Sequence, residues 1–316
     1  MALDLAAIRA AHERIRPYIH RTPVLTSARF DDASGGSLFF KCENFQKVGA
    51  FKARGATNAV LSLDDETARR GVATHSSGNH AAALARAAKL RGIPAHIVMP
   101  SNTLKVKVRA VEGYGARIVF CEPNQQAREE ACARVIAETG ATLVHPFENE
   151  NVMAGQGTVA VELLEEVPDL DLLLCPVGGG GVLSGTAVAA KSLRPGIKVI
   201  ATEPAGADDA AQSFHKHELI RQDTKSTIAD GLRTDLGQPN FDLIQRYVDD
   251  IVTVTEENIV AAMRAIWETL KIVVEPSGAV AYAAVLEGKV ECRGKRVGII
   301  LTGGNVDLDA LPWMKI

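Results

Sequence analysis

Residues 172–185 read LLLCPVGGGGVLSG and place a short apolar run directly before four consecutive glycines and a helical pattern. An apolar run that a glycine turn joins to a helix is typical of one strand-to-helix unit in a parallel sheet. Glycine N–H groups at a helix N-terminus provide a favourable site for an anion. The stretch therefore predicts an α/β fold with a phosphate held by Gly178, Gly179, Gly180 and Gly181.

Two familiar phosphate-binding motifs do not fit this loop. A Walker A motif needs a lysine after its second glycine, but Thr186 and Ala187 follow Gly185. A dinucleotide motif needs a third glycine where Leu183 and Ser184 stand. ATP hydrolysis and dinucleotide binding are therefore disfavoured, and a tight turn without a ligand is the alternative to a phosphate site.

Short β-rich runs alternate with longer helical patterns through most of the chain, which indicates further units of a parallel sheet. We predict strands at 72–77, 95–100, 117–122, 142–146, 172–177, 198–203 and 297–302, with helices at 79–90 and 256–270. The 316 residues exceed the length of one typical domain. Because four units between about 70 and 147 can close a small sheet, we predict a small domain at 70–147 and a large domain formed by 1–69 and 148–316.

Charge and hydropathy exclude several classes of protein. The formal net charge is −3 and the basic residues are scattered, which is unlike a nucleic-acid-binding surface. No apolar run approaches the roughly 20 residues of a membrane span, and the first residues do not resemble a signal peptide. We therefore expect a cytoplasmic protein that binds neither nucleic acid nor membranes. The five cysteines are widely spaced and form no Cys-x-x-Cys pair, which favours buried free thiols.

A second polar loop, 76–80, follows a predicted strand and precedes a predicted helix. Its sequence is Ser-Ser-Gly-Asn-His, and its hydroxyl, amide and backbone donors can bind a carboxylate. A helix N-cap without a ligand is the alternative, since serine is common at that position. Lys52 lies in the segment 45–56, and a lone lysine is ordinarily a solvated surface charge.

Five segments, in this order and spacing, resemble the serine racemase and serine/threonine dehydratase family of pyridoxal phosphate enzymes of fold type II. They are the residues around Lys52, the loop 76–80, the segment 154–158 (Ala-Gly-Gln-Gly-Thr), the tetraglycine loop 178–181 and the segment 302–305 (Thr-Gly-Gly-Asn). The resemblance covers nearly the whole chain. It implies two open, mostly parallel twisted sheets flanked by helices, as in the tryptophan synthase β-like fold, with the small domain inserted in the large one, and it implies a homodimer.

The resemblance assigns the cofactor-binding residues. Lys52 would form a Schiff base with pyridoxal phosphate, Phe51 would lie beside the ring, and Asn79 would hydrogen-bond the ring hydroxyl. The four glycines, Gly178 to Gly181, would hold the phosphate. Thr302 would meet the ring nitrogen at a position where many relatives have serine. A neutral hydroxyl does not stabilise a protonated ring as a carboxylate would, which favours elimination over transamination.

The same resemblance assigns residues to a small amino-acid substrate. Lys52 is the expected catalytic base, and Ser77 is the second expected catalytic residue, because its match in racemases exchanges the proton on the opposite face. Residues expected to bind the α-carboxylate are Ser76, Ser77, Gly78 and His80. Arg128 matches an arginine that can receive a side-chain carboxylate, although an exposed helix position is the alternative. Thr234 matches a pocket serine, whereas Phe147 departs from the asparagine or tyrosine of relatives.

The segment 203–209 resembles the divalent-cation loop of the racemase branch. Its expected ligands are the carboxylates of Glu203 and Asp209 and the carbonyl of Ala207. Oxygen ligands of this kind suit magnesium, calcium or manganese, and an acidic surface loop is the alternative. The predicted function is an ammonia-lyase that eliminates water from a β-hydroxy amino acid to give a keto or imino acid and ammonia. We expect 3-hydroxyaspartate first, then serine and threonine, and serine racemase with side dehydratase activity is the alternative.

Overall fold

The computed structural model describes residues 3–222 and 224–314, apart from the side chain of Val106. The strands described are β1 (Val24–Leu25), β2 (Ser37–Cys42), β3 (Val72–His75), β4 (Ala95–Pro100), β5 (Arg117–Cys121), β6 (Thr142–Leu143), β7 (Leu172–Pro176), β8 (Lys198–Pro204), β9 (Asp250–Val254) and β10 (Arg296–Leu301). The α-helices described are α1 (Leu5–Ile15), α2 (Ala28–Ser34), α3 (Lys52–Leu61), α4 (Asp65–Arg69), α5 (Asn79–Arg91), α6 (Lys105–Glu112), α7 (Gln125–Thr139), α8 (Glu150–Glu166), α9 (Gly181–Leu193), α10 (Asp209–Lys216), α11 (Gln238–Tyr247), α12 (Glu256–Leu270) and α13 (Pro276–Leu286).

The strands form two separate sheets. The larger has the order β1-β2-β10-β7-β8-β9 and is parallel except for the pairing of β1 with β2. The smaller has the order β5-β4-β3-β6 and is parallel throughout. Helices alternate with the strands in both, so the predicted α/β class with two mostly parallel sheets is confirmed. The four strands of the smaller sheet all lie within 72–143, while the domain limits at 70 and 147 stay a prediction.

Three strands of the larger sheet lie outside the predicted set, β1, β2 and β9. The end of β2 contains Lys41, whose fully buried ammonium group donates to Glu162 at 2.7 Å. A lysine interrupts an apolar pattern, and its carboxylate partner lies 121 residues away, so local sequence gives no sign of its burial. The predicted strand 142–146 is shorter in the structure, where β6 ends at Leu143 and a turn follows.

Close helix crossings explain the glycines of the segment 154–158. A Cβ added at Gly155 would lie 2.6 Å from Cα of Gly55, so α3 and α8 touch through their backbones. A Cβ added at Gly157 would lie 2.7 Å from the carbonyl oxygen of Gly185, so α8 meets α9 in the same way. Gln156 between them accepts a hydrogen bond from the N–H of Gly55 at 3.0 Å. The motif therefore fixes α3, which begins at Lys52, against α9, which begins at the tetraglycine loop.

Two further features concern the helices and the cysteines of the described chain. None of the helices in the described ranges is both long and apolar enough to cross a bilayer. The five cysteines are all free, and four of them are buried, with Cys121 partly exposed.

Candidate active site

Lys52 stands at the start of α3, in contact with a turn from the smaller sheet. Phe51 is the N-cap of that helix, and its N–H donates to the carbonyl of Thr302 at 3.0 Å. The Lys52 Nζ atom donates to the carbonyl of Pro146 at 2.9 Å. Burial lowers the pKa of Lys52 to about 8, and the positive end of the helix dipole also disfavours its charged form. Burial therefore increases the share of Lys52 in the neutral amine form, which is the form that can act as nucleophile and base.

A strained turn holds this lysine in place. Val48 and Gly49 adopt the left-handed conformation with φ of 57° and 69°, which is rare for a β-branched residue such as valine. The carbonyl of Gly49 accepts from the N–H of Gly304 at 2.9 Å, and Ala50 forms a β-bridge with Gly303. Strain of this kind persists where the surrounding contacts hold it. Here those contacts join the Lys52 segment to the segment 302–305.

The tetraglycine loop forms the N-terminus of α9. Gly180 is its N-cap with φ of +90°, and an added Cβ there would lie 2.6 Å from Cβ of Asn240 and 2.7 Å from Leu236. Only glycine fits this position without strain or displacement. The first N–H groups of a helix have no partner within the helix, so the loop offers them to an anion.

Phe147 packs directly against this loop. A Cβ added at Gly179 would lie 2.4 Å from the Phe147 ring, and one at Gly181 would lie 2.9 Å from its Cβ. On the other side, a Cβ added at Gly178 would lie 3.0 Å from the Thr234 hydroxyl. Since Phe147 follows the carbonyl of Pro146 that accepts from Lys52, the lysine and the anion-binding loop border one cleft.

Asn79, the first residue of α5, is held by two side chains. The Nδ2 group of Asn305 donates to the carbonyl of Val48 at 2.7 Å and to Oδ1 of Asn79 at 2.9 Å. Because the carbonyl of Val48 can only accept, the Asn305 atom beside it must be the Nδ2 donor. The Asn79 atom that Nδ2 also contacts must then be the acceptor Oδ1. Nδ2 of Asn79 donates one hydrogen to Oε1 of Glu275 at 2.8 Å. Its second hydrogen is available for the ring hydroxyl that the resemblance assigns to it.

Glu275 is a buried carboxyl that sequence reasoning did not select. Burial, together with the charge of Asp230, raises its pKa to about 8, although Asn79 and the N–H of Asn305 donate to it. Between pH 4.5 and 8 the unfolded chain releases this proton while the folded chain keeps it, so the stability contribution is lost as pH rises through that window. Between pH 5 and pH 8 the unfolding free energy of the wild type should fall by about 3 kcal/mol more than that of Glu275→Gln, which cannot titrate.

Urea denaturation of the cofactor-free protein at a series of pH values measures this difference. The exposed Glu138 offers a matched control, and Glu138→Gln should follow the wild-type profile. Parallel profiles for wild type and Glu275→Gln would show that Glu275 keeps an ordinary carboxyl pKa in the folded chain.

The loop 76–80 brings its polar groups to the N-terminus of α5. Gly78 is the N-cap, its N–H donates to the Ser76 hydroxyl at 3.4 Å, and an added Cβ there would meet no atom within 4 Å. Ser77 is half-buried beside it. His80 is buried, with Nε2 3.0 Å from the carbonyl of Val144, and burial lowers its pKa to about 3. The loop thus borders open space with free helix N–H groups, as a carboxylate site requires.

Three rings line the side of the cleft that faces the smaller sheet. His145 stacks edge-on against Phe147 with ring centroids 4.5 Å apart, and His75 lies 5.5 Å beyond it. Burial, followed by the charge of His75, lowers the pKa of His145 to about 4, so the pair is uncharged near neutral pH. Arg128 lies at the outer end, where its charge helps to lower the pKa of the partly buried His75. Its Nη2 donates to Gln125, and its buried Nε has no partner among the described residues.

The predicted cation loop holds a lysine. The carboxylates of Glu203 and Asp209 and the residue Ala207 are fully buried and close in sequence, as expected. The ammonium group of Lys225, however, is hydrogen-bonded to Asp209. Within the described ranges, no group of three or more His, Cys, Asp or Glu side chains is arranged to hold a metal ion. The residues as placed therefore do not fit a divalent cation, which departs from the expectation for this loop.

The structure thus brings most of the predicted residues together. Contacts connect Lys52 and Phe51, Asn79, the four glycines, Thr234 and Thr302 around one cleft, and their individual roles stay predictions. Arg128 is linked to this group through the effect of its charge on the pKa of His75. Glu275 and Lys225 were missed, although a glutamate between Val274 and Pro276 in an apolar stretch was a usable signal.

Comparison with known proteins places the chain in a family. A family model described as pyridoxal-phosphate dependent enzyme matches residues 15–303. The chain is 52% identical over 315 residues to a serine racemase of Arabidopsis thaliana, covering 98% of this chain and 95% of the relative. It is also 52% identical over 304 residues to a β-hydroxyaspartate dehydratase of Paracoccus denitrificans, covering 96% of each. The structure of maize serine racemase superposes with a TM-score of 0.96 at 50% identity, covering 99% of this chain and 97% of that one. The predicted family is therefore confirmed, and this chain belongs to the pyridoxal-phosphate dependent enzymes.

Proposed function

We propose that this protein is a pyridoxal phosphate-dependent ammonia-lyase that eliminates water from a β-hydroxy amino acid, with 3-hydroxyaspartate as the first substrate and serine and threonine next. The observation that carries the proposal is the position of Lys52, an amine whose pKa is lowered by burial, in a cleft that two helix N-termini border. The relative from Paracoccus denitrificans, named β-hydroxyaspartate dehydratase, supports the choice of substrate.

The cleft fits pyridoxal phosphate. The first N–H groups of α9, which follow the loop 178–181, have no partner within the helix and can bind a phosphate, and the amine of Lys52 suits bonding to an aldehyde. The fixed amide of Asn79 has one hydrogen left for a ring hydroxyl. When bound, the cofactor withdraws electrons from the substrate Cα and thereby weakens its C–H bond.

The residues of this chain then have separate tasks. The N–H groups at the start of α5, together with the loop 76–80, bind and orient the substrate α-carboxylate. Nζ of Lys52 accepts the proton from Cα as that C–H bond breaks. The bond from Cβ to the hydroxyl breaks as the Cα–Cβ double bond forms, and the hydroxyl leaves as water with the proton that Lys52 took from Cα. The enamine that is released takes up water and gives a keto acid and ammonia, so one water leaves and one enters.

Substrate choice rests on Arg128. Its guanidinium has a buried Nε without a partner among the described residues, which is costly unless a ligand supplies an acceptor. The second carboxylate of 3-hydroxyaspartate is such an acceptor and can bind a guanidinium through two hydrogen bonds. His75 and His145, whose pKa values are lowered by burial, add little competing positive charge near Arg128.

We expect Arg128→Met to lower kcat/KM for 3-hydroxyaspartate by about 10- to 100-fold, because a charge-assisted hydrogen bond is worth roughly 1.5–3 kcal/mol. The value for serine should stay within a few fold, since serine has no second carboxylate. Arg134→Met, on the exposed face of the same helix, is the matched control and should affect neither substrate. Equal losses of kcat/KM for both substrates would show that Arg128 does not bind the side chain of the substrate.

Serine racemase is the second candidate, because Ser77 is present and the relative from Arabidopsis thaliana has that name. The test is ammonia release and product chirality with each stereoisomer of 3-hydroxyaspartate, serine and threonine. Rapid ammonia release from one isomer of 3-hydroxyaspartate supports the dehydratase. Fast formation of D-serine with little ammonia supports the racemase and overturns the proposed substrate.

A further inference from the structure

Lys225 places a positive charge inside the loop where the resemblance implies a divalent cation. Its Nζ is hydrogen-bonded to Oδ1 of Asp209 and lies 3.0 Å from Oδ1 of Asp235. The Lys225 side chain is only 9% exposed and that of Asp209 is fully buried, so water does little to screen this pair. A lysine held in such a position neutralises a carboxylate that would otherwise be buried with its charge unpaired.

The remaining carboxylate oxygens are already bonded to the protein. Oδ2 of Asp209 accepts from the N–H of Leu236 at 2.9 Å. The two oxygens of Glu203 accept from the N–H groups of Ala210 and Ala211 at 3.1 and 2.8 Å, at the start of α10. Oδ1 of Asp209 is therefore the carboxylate oxygen that remains for the ammonium group of Lys225.

Backbone contacts fix the lysine segment against this loop. A Cβ added at Gly206 would lie 1.9 Å from the carbonyl of Ser226, and the N–H of Ser226 donates to the carbonyl of Gly206 at 2.8 Å. Lys225 directly precedes Ser226, so its main chain cannot move away from the loop without breaking the hydrogen bond between Ser226 and Gly206. Asp209 in turn holds Leu236, whose side chain packs beside Gly180 of the anion-binding loop.

We propose that the ammonium group of Lys225 is a built-in cation, which in this chain takes the position and the structural task of a divalent metal ion. It ties the 203–209 loop to the segment 234–236 and so supports the tetraglycine loop. A divalent cation at the same carboxylate would be repelled by this ammonium, and the chain needs none there.

The first arm of the test is thermal melting of the holoenzyme after removal of metal by a chelator. The wild type should melt at the same temperature with and without added magnesium, calcium or manganese. Lys225→Ser should melt lower by roughly 5 °C or more, because Asp209 is left buried and unpaired. Divalent cations should restore about half of that loss or more, because the shortened side chain leaves a carboxylate site for them.

Two controls keep this result specific. Lys216→Ser removes an exposed lysine from α10 and should change neither the melting temperature nor its response to cations. Lys225→Arg keeps the positive charge and should stay insensitive to metal. Lys225→Arg and the melting of the wild type with added cations test the proposal even where Lys225→Ser does not fold.

Either of two outcomes would overturn the proposal. One is a wild-type holoenzyme that binds a stoichiometric divalent cation, or whose melting temperature rises with one. The other is a Lys225→Ser protein that melts like the wild type and does not respond to cations. Because melting is measured without substrate, failure here is separable from failure of the proposed dehydratase activity.

Discussion

Replacement of Lys52 by alanine should abolish measurable ammonia release. The change removes the only amine that the structure places against the Pro146 carbonyl and beside the tetraglycine loop in the described chain. Loss of proton transfer alone costs about 10² to 10⁴ in rate, and loss of the covalent attachment point for the cofactor adds to it. Initial rates of ammonia release with saturating pyridoxal phosphate measure the effect.

Two comparisons separate chemistry from folding in this experiment. Lys198→Ala removes an exposed lysine at the start of β8 and should keep the wild-type rate. Thermal unfolding of Lys52→Ala should be as cooperative as that of the wild type, with a melting temperature at least as high. A buried amine whose pKa is lowered by burial destabilises the folded chain, and alanine removes it. A folded Lys52→Ala protein that retains more than about a tenth of the activity would place the base elsewhere.

The fold was predictable where one segment carries its own signal. The strands β7 and β10 are buried on both faces, so each appears as a continuous apolar run. The first of them is followed by the tetraglycine turn. Strand β2 was not predicted, because Lys41 looks like a surface residue until Glu162 is brought to it. Burial of a charge depends on a partner distant in sequence, and a local pattern does not contain that information.

The candidate site likewise contains residues that the local sequence identifies and residues that only the fold reveals. Lys52, the loop 76–80 and the four glycines carry their chemistry locally, as an amine or as helix N-termini. Glu275 becomes informative only when the fold brings it to Asn79, which is 196 residues away. Lys225 was not considered, because the cation loop was interpreted from 203–209 alone. Local motifs therefore located the cleft, whereas the groups that orient it were visible only in three dimensions.

The buried ion cluster around Arg54 predicts the largest change in stability. Arg54, two residues beyond Lys52, donates to Glu43 and Glu162 at 2.7 Å each, and Lys41 donates to Glu162 at 2.7 Å. All four side chains are almost fully buried, and their formal charges cancel. Arg54→Met leaves two buried carboxylates with one lysine. We expect the unfolding free energy to fall by about 3–5 kcal/mol, measured by urea denaturation.

The control for Arg54→Met is an exposed pair of the same chemistry and distance. Arg21 donates to Glu165 at 2.7 Å, but both side chains are about half exposed, so Arg21→Met should cost about 1 kcal/mol or less. Equal effects of the two substitutions would mean that water reaches the cluster and that burial does not set its strength. A large loss for Arg54 alone would show that the start of α3, and with it Lys52, is held in place by charges that no water screens.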